Sequence, residues 1–119
     1  MTLSREEILA KKPGKELNEH VMRHIFNMKK DPQGASFTWV HEVDGDIVDW
    51  QPAYFSPSTN ISAAWEVEDQ IKKLRLHAAY VSALKQVLVR TGEYVGMFDY
   101  IHANSEQRCK AALLAVLGL

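Results

Sequence analysis

His20 and His24 stand four residues apart, the spacing that lets two imidazoles on one helix face share a metal. The catalytic version of that pattern also needs a glutamate after the first histidine, and Val21 occupies that position. Both histidines border an apolar stripe, so packing or surface placement accounts for them, and His41 reads as a hydrogen-bonded core residue. Asp44, Asp46 and Asp49 make an acidic run, but Asp44 belongs to a turn and alternate strand residues face opposite ways. No fourth oxygen ligand is fixed by spacing, and no metal or other cofactor is expected. Cys109, the single cysteine, has no His and Asp pattern beside it and reads as a small core residue rather than a nucleophile. With no glycine-rich phosphate loop, nucleophile elbow or paired cysteine motif, the chain is not expected to be an enzyme.

The stronger candidates are for binding. Ser58, Thr59 and Asn60 precede a helical pattern, where their local role is capping. The same position offers unpaired N–H groups and partial positive charge to an anion or nucleotide. Trp65, one turn on and off the apolar stripe, can stack on a base or pack on a partner. Lys15 and Arg108, near the starts of two other helices, would supply cations. The expected ligand-binding set is therefore Lys15, Ser58, Thr59, Asn60, Trp65 and Arg108.

These residues need elements to position them. Ser4 and Glu7 form a capping box for a short helix that Pro13 and Gly14 interrupt. A longer helix follows from Lys15, with Leu17, Val21, Ile25 and Met28 on one face. Asp31, Pro32 and Gly34 turn the chain into a β-hairpin over 36–50, centred on Asp44 and Gly45. Regular pairing across that turn sets Trp39 opposite Trp50 and His41 opposite Val48. Phe37, Trp39, His41, Val43, Val48 and Trp50 then share the face expected to pack, opposite Thr38, Glu42 and Asp49. Residues 52–60 read as a loop, and Asn60 caps a helix running to about Arg75 with a stripe of Ile61, Ala64, Val67, Ile71 and Leu74. Tyr80, Val81, Val87 and Val89 argue for a strand over 76–89, against the helical preference of Ala78, Ala79, Ala83 and Leu84. Thr91 and Gly92 would turn it into a second strand over 94–102. Asn104 and Gln107 form a capping box for a final, deeply packed helix.

At 119 residues, 46% hydrophobic and 24% charged, the chain reads as one domain spanning 1–119, large enough for its own core. The net charge of −1 conceals a separation: residues 1–30 sum to +3, residues 31–70 carry eight acids and no base, and residues 71–119 sum to +4. No strong basic footprint marks the whole chain, so nucleic acid is not an expected partner. No apolar run approaches the roughly 18 residues of a membrane span, and a lone cysteine without a secretory core suits the cytoplasm.

Three segments resemble one family. Residues 12–18, Lys-Pro-Gly-Lys-Glu-Leu-Asn, are similar to the K-P-G-R-E-L-D opening of the phage ABA sandwich domain proteins of bacteriophages and prophages. Residues 57–67 resemble their S-T-D-I-x-A-A-W-E-V stretch, and residues 107–117 their closing I-C-R-A-A-L-L-A-V-L. Asn18 and Asn60 stand where the family usually has Asp, and Lys110 where it has Arg. The resemblance implies an α/β/α sandwich and carries no reaction. The expectation is thus an α+β fold, a mainly antiparallel sheet of two hairpins covered by helices, serving as a phage accessory protein in the bacterial host cytoplasm. Its expected activity is non-enzymatic binding of a host protein or small nucleotide-like ligand. The alternative is a self-associating phage assembly protein, in which acidic centre meets basic ends of another copy.

Overall fold

The computed structural model describes residues 3–30, 39–52, 55–89 and 96–119. The turn expected around Asp31, Pro32 and Gly34, the strand start at Phe37 and Thr38, the Thr91 and Gly92 turn and the strand start at Tyr94 lie outside them. The chain is α+β: α1 (Arg5–Ala10), α2 (Lys15–His24), β1 (Lys29–Lys30), β2 (Trp39–Val43), β3 (Asp46–Gln51), α3 (Ile61–Lys73), α4 (His77–Val89), α5 (Met97–Ile101) and α6 (Ser105–Leu117).

Local chemistry starts most helices. Ser4 Oγ accepts from the Glu7 N–H at 3.1 Å while the Glu7 carboxylate accepts from the Ser4 N–H at 3.2 Å. Asn60 Oδ1 accepts from the Ala63 N–H, and Asn104 and Gln107 cap α6 reciprocally. The end of α3 is less usual. Arg75 takes a left-handed φ of 59°, its N–H bonds the Lys72 carbonyl, and the Leu76 N–H reaches back to Ile71. This closes the helix as glycine commonly does and lets α4 begin at His77.

Residues 76–89 are therefore not a strand. Tyr80, Ala83, Leu84, Val87 and Leu88 are buried at offsets 0, 3, 4, 7 and 8, and this helical period overrides the strand preference of Val81, Val87 and Val89. Downstream, Asp99 Oδ2 accepts from the Gly96 N–H and starts α5 where the second strand was expected. Among the described residues the sheet is accordingly three-stranded and antiparallel, in the order β1-β2-β3, and α4 and α5 stand where the strands of the second hairpin were expected.

That hairpin turns at Asp44 and Gly45, whose φ values of 53° and 85° suit a primed turn. Val43 pairs with Asp46 and Glu42 with Ile47, but His41 pairs with Asp49, which leaves Val48 as an extra residue in β3. The bulge shifts every later pairing by one: Trp39 faces Gln51, and Val40 faces Trp50. Trp50 consequently joins the Val40 and Glu42 face rather than that of Trp39 and His41. The expected packing face is thereby split. Trp39 and Val40 are buried, whereas Val43, Val48 and Trp50 are exposed.

The main core surrounds α6, which packs against α1, α2, α3 and α4. Ala111, Ala112 and Ala115 occupy little volume beside the buried Leu113 and Leu114, allowing neighbours to approach from several sides. A smaller cluster of Met22, Met28, Trp39, Phe55 and Ala63 attaches the sheet to α2 and α3. Arg23 and Lys30 lie 5.6 and 5.8 Å from the Trp39 ring centroid, so the indole also meets two cations.

Candidate functional site

The Ser58 to Asn60 loop docks on the start of α2. Ser58 is 2% exposed; its Oγ accepts from the Gly14 N–H at 2.8 Å, and its own N–H donates to Asn18 Oδ1 at 2.9 Å. Asp would accept the second bond as well as Asn does, because only an oxygen is required. Thr59 Oγ1 is 3.4 Å from the Ser56 carbonyl, and Asn60 is occupied as the α3 cap. The two first family-like segments thus meet in a tie that joins α2 to α3.

Lys15 is exposed beside this tie, but Arg108 is not brought to it. Arg108 is 8% exposed, with its Nε donating to the Ala103 carbonyl at 2.8 Å and its terminal nitrogens to Ile101 O and Glu68 Oε2 at 2.9 and 2.6 Å. Glu68 Oε2 also accepts from the Tyr80 hydroxyl. Burial, reinforced by Glu68, raises the Tyr80 pKa above its ordinary range. Lys110 is buried too, donating to the Leu9 carbonyl at 2.9 Å near the end of α1 and pairing with Glu106. The basic pair in the closing segment is therefore engaged inside the fold. The sequence reading gives Glu68 no role and takes Tyr80 only as a strand residue; the local signal for Glu68 is its place four residues after the buried Ala64, at the edge of the apolar stripe.

Trp65 is 56% exposed. His20 and His24 stack with centroids 5.9 Å apart, and burial, Lys11 and His24 together lower the His20 pKa. Among the described residues, no three His, Cys, Asp or Glu side chains are placed to hold a metal. Cys109 is fully buried, and burial pushes its thiol up to about 12, leaving it protonated at neutral pH.

Two surfaces have the shape for recognition. A groove of about 580 Å³ runs between hairpin and helices, combining apolar Ile25, Phe26, Leu74 and Leu76 with His24, His41, Asp49 and Gln70. His41 Nδ1 lies 3.0 Å from the Asn27 carbonyl, which can only accept, so this nitrogen carries hydrogen. Above the groove the hairpin exposes residues 43–50 without interruption. Trp50 is 60% exposed there, accompanied by Val43, Ile47 and Val48 and by acidic Asp44, Asp46 and Asp49. Separately, a cleft of about 540 Å³ near the α2 start is lined in part by Lys11, Lys12, Gly14 and Lys15. Lys11 pairs there with Glu16, whose pKa is lowered by that contact.

No curated protein and no solved structure shows significant similarity to the chain. No helix among the described residues is long and apolar enough to cross a membrane. The family model for the phage ABA sandwich domain matches residues 18–113, from the asparagine that holds Ser58 to the middle of α6, and the chain belongs to that phage-associated family.

Proposed function

We propose that this member of a phage family is a non-enzymatic binding module, acting in the bacterial host cytoplasm, whose partner is a protein. The observation that carries this reading is the exposed hairpin end, where Val43, Ile47, Val48 and Trp50 place large apolar side chains in solvent beside acidic residues. Such a patch loses free energy in water and recovers it against a complementary surface. The internal bonds of Ser58, Asn60 and Arg108 favour this reading over a nucleotide held by those residues.

A nucleotide-like anion is the second reading, favoured by Lys12 and Lys15 around a helix start that has no side-chain cap. Calorimetry against linear and cyclic nucleotides, combined with photocross-linking in producing host cells, separates the two. A photoreactive residue at position 50 is expected to give a protein adduct absent at exposed position 66, with no nucleotide heat. Saturable nucleotide binding without an adduct at position 50 would overturn the protein-partner reading.

A further inference from the structure

We propose that the partner seated on the hairpin is a second copy of this chain, each copy laying its acidic hairpin end on the basic C-terminal end of the other's α3. This rests on the hairpin being the binding surface and adds the identity of what it binds.

The argument is charge complementarity between two surfaces of the same molecule. Asp44 and Asp46 are exposed at the hairpin turn, and Lys72, Lys73 and Arg75 are exposed where α3 ends. Three surface ion pairs form within the chain: Lys29–Glu42, Lys30–Glu19 and Lys11–Glu16. Among the described residues, no ion pair engages Asp44, Asp46, Lys72, Lys73 or Arg75. Each charged set also surrounds apolar surface: Ile47, Val48 and Trp50 on the hairpin, and Leu74 between Lys73 and Arg75.

A two-fold axis makes such a contact reciprocal. When the hairpin of one copy meets the α3 end of the second, the second hairpin meets the first α3 end, and the interface is duplicated without new chemistry. The acidic turns face lysines rather than other acidic turns, which selects this arrangement over hairpin-to-hairpin contact. The unbroken acidic block over 31–70 and the cluster of bases beginning at Lys72 thereby acquire a role across copies.

Sedimentation velocity of the full chain tests the proposal. At low salt the wild type is expected at twice the 13.5 kDa monomer mass, with a dissociation constant raised about tenfold in high salt as the charges are screened. Asp44→Asn with Asp46→Lys makes the turn basic, and Lys72→Glu with Lys73→Glu makes the α3 end acidic; asparagine preserves tolerance of the left-handed backbone at position 44. Each double variant should be monomeric alone with unchanged circular dichroism, and the equimolar mixture should recover the dimer because both contacts are then complementary. A wild type that remains monomeric throughout a concentration series overturns the proposal, as does a mixture that fails to associate. The cross-link at position 50 distinguishes the two levels of inference. An adduct of two identical chains supports self-association; an adduct with a different protein overturns it while preserving the binding-module reading, and no adduct overturns both.

Discussion

Replacing Arg108 with leucine is expected to lower the melting temperature by about 12 °C. The guanidinium serves three acceptors: Glu68, Ala103 O and Ile101 O. Ala103 is buried, so loss of the donor to its carbonyl carries the cost of an unsatisfied interior group, about 1–3 kcal/mol. Ile101 is exposed, and water can replace the donor to its carbonyl. Glu68 retains 26% side-chain exposure, which reduces the 3–5 kcal/mol typical of breaking a fully buried pair to about 1–2 kcal/mol. Leucine recovers part of the loss through apolar contact, giving a net of about 3 kcal/mol. With about 2.1 cal/mol/K of unfolding entropy per residue, the 119-residue chain converts that loss to a shift of about 12 °C. Scanning calorimetry measures the shift directly. Arg108→Lys should lose about half as much, because it can retain one ionic bond but not the three-way fork. A melting temperature for Arg108→Leu within about 2 °C of wild type would refute the assignment of this residue to internal support.

Three other tests probe separate parts of the fold. Ser58→Ala should cost about 1–2 kcal/mol in urea unfolding because it strands the Gly14 N–H, whereas Asn18→Asp should be nearly neutral. Cys109 should resist a thiol reagent at pH 8 in the folded protein and react at the rate of global unfolding; rapid native labelling would contradict its burial and raised pKa. His20 binds a proton less readily folded than unfolded, so its contribution is absent well above pH 6.5 and turns unfavourable as pH falls through and below 6.5. His20→Gln should flatten this acid limb in a pH series of unfolding curves.

Local signals were legible where the responsible partners are close in sequence. Ser4 with Glu7, Asn60 with Ala63 and Asn104 with Gln107 lie three residues apart, so helix starts can be read without knowing what the helices touch. Asp44 and Gly45 announced their turn for the same reason. The strand reading over 76–89 gave weight to individual valines when the deciding signal was the spacing of Tyr80, Ala83, Leu84, Val87 and Leu88. Among the candidate ligand residues, the capping role of Asn60 and the off-stripe position of Trp65 were readable. The engagement of Ser58 with Gly14 and Asn18 required chain segments about forty residues apart to meet.

Sequence by itself determined the family, the single cysteine, the separation of charge and the chemistry that begins the helices, because each depends on residue identity or on bonds spanning a few positions. Tertiary structure decided which charges are surface and which are interior. Arg108 and Lys110 are buried because Glu68 from α3 and the Leu9 carbonyl from α1 converge from distant parts of the chain and join the nearby Ala103 carbonyl and Glu106 in offsetting their desolvation. It also decided the faces of the hairpin: the pairing of His41 with Asp49 leaves Val48 extra and carries Trp50 to the face opposite Trp39. Period-two alternation can predict those faces only after the register is known, and the register belongs to the paired strands together.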